Sequence, residues 1–267
     1  MNLETTLQKL WTGYSDLNPS AHKIHSLLEN QGERIINDHI AFRTYDIDGI
    51  NIDALASIFI KMGYEAKGEY SFEKKKLRAR HYEHKSDNLA PRVFISELIT
   101  GDFSKEVQEI AAMVARKTLE SLNNEDELIF AGTPWHPLSY KVYKKLLGES
   151  EYAAWMYVWG FRANHFTIFI NHLKKYTTIE DLNEYLKSAG FSLNISGGEI
   201  KGSREQLLQQ SSTLADIVEV EFDEGLYSIP CCYYEFAQRY EDKTGNLYNG
   251  FIAKSADKIF ESTDSRE

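Results

Sequence analysis

Two histidines occupy matching surroundings. The first lies in Asn37-Asp38-His39-Ile40-Ala41-Phe42-Arg43-Thr44, the second in Asn164-His165-Phe166-Thr167-Ile168-Phe169-Ile170-Asn171. Both stretches alternate apolar and polar residues with the period of a β-strand. In the first, His39, Ala41 and Arg43 share one face, and Ile40 and Phe42 share the other. An imidazole and a guanidinium on one face suit a metal ion and an anionic substrate. Taken alone, the stretch reads more simply as a strand with an exposed His and Arg. Its recurrence changes that reading, because each copy also runs on to a strand carrying a glutamate. The first is Arg92-Val93-Phe94-Ile95-Ser96-Glu97-Leu98; the second is Cys232-Tyr233-Tyr234-Glu235-Phe236-Ala237-Gln238-Arg239.

The elements between His and Glu repeat as well. After His39 an apolar stripe of Leu55, Ile58, Phe59 and Met62 predicts a helix that stops at Gly63. After His165 the stripe is Ile179, Leu182, Leu186 and Ala189, with Thr178 and Asp181 resembling a capping box and Gly190 as the stop. Glycine just past a helix supplies the left-handed C-cap, and Tyr64 or Phe191 then packs back on the last turn. His39 to Gly63 is 24 positions and His165 to Gly190 is 25. His39 to Glu97 is 58 positions and His165 to Glu235 is 70, so the second copy holds about a dozen extra residues between helix and Glu. Two strand-helix-strand-strand-strand modules, each with His on its first strand and Glu on its last, carry far more information than any one of these residues.

Composition excludes several classes. The 267 residues suffice for one large domain or two small ones with a sizeable core. A net charge of −10 argues against nucleic-acid or anionic-membrane binding, which need a basic footprint. It does not exclude a small anionic substrate, because a local Arg outweighs distant charge in a cleft. The only cysteines, Cys231 and Cys232, are adjacent and make neither a disulfide framework nor a CxxC zinc site. The start Met1-Asn2-Leu3-Glu4-Thr5-Thr6 lacks a signal-peptide pattern, and no apolar run is long enough to span a membrane. The expectation is a cytoplasmic protein.

The remaining elements frame the modules. Residues 3–14 read as a helix, and Asn18-Pro19 starts a second that runs to about Gln31. His22 and His25 on it have ligand spacing but no third partner nearby, so they read as surface residues. Glu69 to His84 reads as a basic hairpin with Arg78 and Arg80 on one face and His81 on the other. Residues 103–122 form a helix near Ser104. The rigid turn Thr133-Pro134-Trp135-His136-Pro137 gives His136 a structural hydrogen bond, and a helical stretch 138–159 rich in Tyr and Trp follows as a lid or packing layer. The Gly-rich loop Ser196–Gly202 fits no nucleotide-binding motif. A polar tail has one short helix expected near Ala253–Phe260 and a frayed end. The fold class is α+β: two βαβββ modules forming a cupped, barrel-like mixed sheet, with inserted helices. The chain is expected as a single domain. It comprises N-terminal helices 1–34, module one 35–100, a helical insert 101–160, module two 161–240 and a tail 241–267.

With the modules related by pseudo-twofold symmetry, His39, Glu97, His165 and Glu235 are expected to converge. In this arrangement the chain resembles the vicinal-oxygen-chelate superfamily. The segments DHIAFRT (38–44), KKLRA (75–79), FISEL (94–98), NHFTI (164–168) and YYEFAQR (233–239) resemble the 2-oxoadipate dioxygenase/decarboxylase family more closely. The resemblance covers about residues 20–240. It implies Fe(II), or another divalent metal, held by His39, His165 and Glu235, with Arg43 gripping a substrate carboxylate and His39 and His165 bordering the substrate. Two imidazoles and one carboxylate leave three metal positions open. A 2-oxo acid takes two and O2 the third. The implied reaction turns 2-oxoadipate into 2-hydroxyglutarate and CO2, a step of lysine catabolism, with no second cosubstrate because the substrate brings its own 2-oxo acid.

Longer family members carry C-terminal residues that help hold substrate, and this chain has no evident counterpart for them. Glu97 is expected as a catalytic neighbour of the metal-bound water or substrate. As a fourth ligand it would instead make a set resembling glyoxalase-type lyases, isomerases or hydrolases, which use Zn(II) or Ni(II) as a Lewis acid. A metal-free small-ligand module on the same fold is the non-enzyme alternative. Four polar groups aimed at one cavity speak against it.

Overall fold

The structure, a computed structural model, describes residues 2–253. Apart from Ala253, the short helix expected at 253–260 lies outside the described residues. Two N-terminal helices come first, α1 (Leu3–Ser15) and α2 (Pro19–Asn30), with the Asn18 side chain accepting from the Ala21 amide as the N-cap. Module one follows as β1 (Asn37–Tyr45), α3 (Ile52–Lys61), β2 (Tyr64–Phe72), β3 (Leu77–His84) and β4 (Arg92–Leu98). Helix α4 (Lys105–Ser121) opens the insert. The stretch expected as one helix over 138–159 is two, α5 (Tyr140–Glu149) and α6 (Glu151–Trp159). They part at Ser150, whose extended backbone lets its hydroxyl cap α6 through the Ala153 amide.

Module two repeats the first: β5 (Ala163–Phe169), α7 (Ile179–Ser188), β6 (Lys201–Ser203), β7 (Leu208–Ser212) and β10 (Glu235–Arg239). Between β7 and β10 stands a separate hairpin, β8 (Ile217–Phe222) and β9 (Gly225–Pro230), which accounts for the extra residues of the second copy. Gly63 at φ +100° and Gly190 at φ +89° end α3 and α7 in the left-handed conformation that glycine adopts without strain.

The two modules share one eight-stranded sheet, ordered β2-β3-β4-β1-β5-β10-β7-β6 and curled into a cup. Its halves are mirrored in order. Each leading strand, β1 or β5, pairs in parallel with its module's last strand, β4 or β10, and the halves join where β1 meets β5 antiparallel. Helix α3 packs on β2 and β4, α7 on β7 and β10, so the helices cover one face and leave the other as the interior of the cup. Helix α6 is buried from Tyr152 to Trp159 and apolar all round over that span, as a core helix must be.

Register decides which residues enter the cup. Along β4, Arg92, Phe94 and Ser96 lie opposite His39, Ala41 and Arg43, whereas Glu97 lies opposite Thr44 on the helix-covered face. The expected convergence of Glu97 on the two histidines is therefore not formed. Glu97 instead accepts from the Ile52 amide at 2.8 Å, at the start of α3, and pairs with Arg78. An anion there satisfies an orphan amide and complements the helix dipole. Replacing Glu97 by Ala is expected to lower unfolding stability by about 1–3 kcal/mol while leaving bound-metal stoichiometry at the wild-type value. Denaturant unfolding and metal analysis of the same preparation check both halves.

Candidate metal centre

His39, His165 and Glu235 meet inside the cup, with one ligand atom from each lying within 4.8 Å of the others. The imidazole nitrogens His39 Nε2 and His165 Nε2 are 3.3 Å apart; Glu235 lies 3.6 Å from the first and 3.2 Å from the second. These are close to the edges of a coordination polyhedron with bonds of about 2.1 Å. All three side chains are almost wholly buried.

Each histidine is oriented by the residue before it. His39 Nδ1 lies 2.8 Å from Asp38 Oδ1, and His165 Nδ1 lies 3.0 Å from Asn164 Oδ1. Neighbouring residues on a regular strand point to opposite faces, so these contacts need a local break. Register supplies one twice. Asn37 and His39 pair with the consecutive residues Ile168 and Thr167, leaving Asp38 as an extra residue; Ala41 and Phe42 pair with His165 and Ala163, leaving Asn164 extra. Two β-bulges, one on each central strand, turn an Asx side chain back onto its own histidine. Both Nδ1 atoms then carry the hydrogen, and both Nε2 lone pairs face the shared centre.

Two facing lone pairs and a carboxyl make a poor empty cavity and a good cation site. Burial lowers the basicity of His39 against the opposing pull of Asp38, and lowers His165 further with help from His39 and Arg43. Burial also pushes the Glu235 carboxyl up to about 8, although Gln210 donates to it at 2.5 Å. The metal-free centre is thus two neutral imidazoles and one protonated carboxyl, the donor set that a divalent metal takes on release of a proton. The residues fit such an ion.

Supports come from both modules and the tail. Asp38 is gripped by Arg239 through two hydrogen bonds, 2.6 and 2.9 Å, and by Arg92 at 3.4 Å. Burial disfavours the Asp38 carboxylate, but these guanidinium groups outweigh it and hold the pKa well below the usual range. Arg239 also donates to the carbonyls of Tyr248 and Gly250, which sets Phe251 edge-on against the His39 ring at 4.9 Å. Arg43 lines the same interior. Its Nη1 donates to Glu151 at 3.1 Å, and its guanidinium lies over the Tyr152 and Trp155 rings at 4.9 and 4.8 Å. Burial opposes its charge, but the Glu151 carboxylate beside it outweighs that and raises its pKa.

The position in module one that corresponds to Glu235 is Phe94: Glu235 pairs with Thr167, two residues after His165, and Phe94 pairs with Ala41, two after His39. An apolar ring therefore occupies the place a fourth ligand would take. His22 is exposed, and His25 packs tilted against Trp11 at 4.7 Å rather than standing free on the surface; neither joins the centre. His136 bonds Thr133 Oγ1 at 2.9 Å, as its turn suggested. Glu151, Tyr152, Trp155 and Tyr233 went unnoticed in the sequence. The first three leave no local signal. The Asx–His pairs did leave one, since the dipeptide occurs at both strands.

Residues 5–246 match the family model described as 2-oxoadipate dioxygenase/decarboxylase. A chloroplastic 2-oxoadipate dioxygenase/decarboxylase from Arabidopsis thaliana is 37% identical over 291 residues, covering 97% of this chain and 76% of the relative. The crystal structure of hydroxyglutarate synthase in complex with 2-oxoadipate from Oryza sativa superposes with a TM-score of 0.91 at 34% identity, covering 98% of this chain and 91% of that one. A Shewanella frigidimarina structure carrying a provisional hydrolase label has a TM-score of 0.89 at 48% identity, covering 94% and 98%.

Removing the Asn164 side chain frees the His165 tautomer, so Asn164→Ala is expected to weaken metal binding about 10–100-fold with the fold retained, read by chelator competition. The raised Glu235 pKa gives a second test. Between the unfolded carboxyl value and about 8 the folded metal-free chain holds a proton that the unfolded chain releases, so this group's contribution to stability is lost as pH rises through that window. Glu235→Gln lacks the effect. Its melting temperature relative to metal-free wild type is expected to climb from pH 5 to pH 8.

Proposed function

The chain belongs to the 2-oxoadipate dioxygenase/decarboxylase family, and on that premise we propose that it converts 2-oxoadipate, or a close 2-oxo dicarboxylic acid, with O2 into 2-hydroxyglutarate and CO2. His39, His165 and Glu235 hold the metal, with Fe(II) the proposed ion. Bound there, Fe(II) would leave open positions for a 2-oxo acid and O2 and supply the redox chemistry of decarboxylation and hydroxylation. The observation that carries this reading over redox-neutral lyase chemistry is Phe94 at the fourth-ligand position, combined with the family match.

The chain's own residues do the rest. Arg43 binds a substrate carboxylate, because a guanidinium donates two parallel hydrogen bonds to it. Glu151 and the two rings hold the Arg43 guanidinium in one orientation. Glu235 must give up its proton as metal binds, and Gln210 then stabilises the carboxylate. Phe251 and Phe94 pack together at 4.9 Å and keep water from the His39 side. A small anionic substrate is the proposed partner, and no helix among the described residues is long and apolar enough to cross a membrane. The free, buried Cys231 and Cys232 support a reducing compartment, and the cytoplasm is the proposed one although the plant relatives are named as chloroplastic. Lysine catabolism is the proposed setting.

Anaerobically Fe(II)-loaded protein is expected to take up O2 on addition of 2-oxoadipate, matched by CO2 release, with no uptake in His165→Ala. Arg43→Lys is expected to retain iron and raise the KM for 2-oxoadipate at least about tenfold. An iron-loaded wild type that consumes no O2 would move the assignment to another 2-oxo acid or to redox-neutral chemistry.

A further inference from the structure

One buried polar group beside the metal centre has no assigned work. The Tyr233 ring lies nearly parallel to His165, centroids 4.7 Å apart at 27°, and is fully buried. Its hydroxyl has no hydrogen-bond partner among the described residues. The phenol thus stands beside a metal ligand, and Glu235 and Arg43 are among the charged groups near enough to act on it.

The position is not an accident of a loose loop. Residues 231–234 leave the strand ladder before β10, yet their backbone is pinned on every side. Trp159 Nε1 donates to the Pro230 carbonyl at 2.8 Å and Trp155 Nε1 to the Cys231 carbonyl at 2.6 Å. Tyr14 donates its hydroxyl to the Tyr233 carbonyl at 2.5 Å, and Thr213 accepts from the Tyr234 amide while donating its own amide to the Tyr234 carbonyl. A backbone held this firmly, with the ring packed on His165, restricts where the phenol points. Leaving a rigid, buried hydroxyl unpaired costs stability, and such groups persist where a ligand completes them.

We propose that Tyr233 touches substrate, its phenol donating a hydrogen bond to a carboxylate oxygen of the 2-oxo acid held between His165 and Arg43. This rests on the functional reading above and adds a residue to it. Arg43 supplies the charge that attracts the carboxylate, and Tyr233 supplies a neutral donor that fixes which oxygen faces the metal side. A phenol ordinarily titrates at about 10, so the group is a donor at neutral pH. The ring itself is a positioning element, since its face sets the plane of the His165 imidazole.

Tyr233→Phe separates the two roles, because it keeps the ring and removes only the hydroxyl. Three readings are taken on wild type and variant: metal-free melting temperature, metal stoichiometry, and the KM, kcat and calorimetric Kd for 2-oxoadipate, the last with the anaerobic Fe(II) form. The expected result is unchanged metal stoichiometry, a melting temperature equal to or above wild type, and a KM and Kd raised about 10–100-fold, the loss of a hydrogen bond to a charged group. Unchanged KM, kcat and Kd would overturn the inference while wild-type turnover upholds the enzyme reading. A melting temperature several degrees lower would overturn it too, since the hydroxyl would then be structural. Wild type that neither binds nor turns over 2-oxoadipate would overturn the functional reading and this inference together.

Discussion

The antiparallel pairing of β1 with β5 is the constraint on which the rest of the molecule depends. Among the described residues it is the one seam between the two modules within the sheet, and both histidines sit on it. Pairing alone would leave each histidine free to choose its tautomer and to rotate. The two bulges remove that freedom, because each inserts an Asx residue whose oxygen meets the histidine's Nδ1. Geometry and proton inventory at the centre are thereby set by backbone register, before any metal arrives.

A second layer of constraint converges on Asp38. Its carboxylate faces His39 on one side and Arg239 and Arg92 on the other, so strands from both modules are tied to one buried charge. A buried ion pair of this kind adds little net stability, yet leaving either partner alone would strand a charge in the interior. Its effect is positional. Arg239 spends its other donors on Tyr248 and Gly250 and so draws the chain after β10 back across the mouth of the cup, where Phe251 meets His39, Phe94 and Tyr70. A segment that reads as a polar tail thus delivers an aromatic wall to the site.

Opposite that wall stands the insert. Helix α6 places Glu151, Tyr152 and Trp155 around Arg43, and Tyr152 anchors there by donating to the Ser96 carbonyl and accepting from the Thr44 amide. The cup is therefore asymmetric in function although its strands are symmetric. Module two contributes the Glu235 carboxyl to the centre, and module one contributes Phe94 in its place. Arg43 and its supports fill the side that symmetry would otherwise repeat.

The sequence by itself determined the modular plan. Period-2 strands around His39 and His165, apolar helical stripes stopped by Gly63 and Gly190, and the Asn18 and Thr178 caps are local patterns, and local sterics and hydrogen bonding suffice to read them. Only the tertiary structure decided which glutamate enters the cup. Glu97 and Glu235 look equivalent in sequence, but the face of a strand residue depends on its register with a partner strand, and a shift of one residue reverses it. Glu97 falls beside Thr44 on the helix side, and Glu235 falls beside Thr167 on the inner side. The contacts that Glu151, Tyr152, Trp155 and Tyr233 make around the site were likewise beyond local sequence. These residues lie in segments far from His39 along the chain, and packing alone brings them to it.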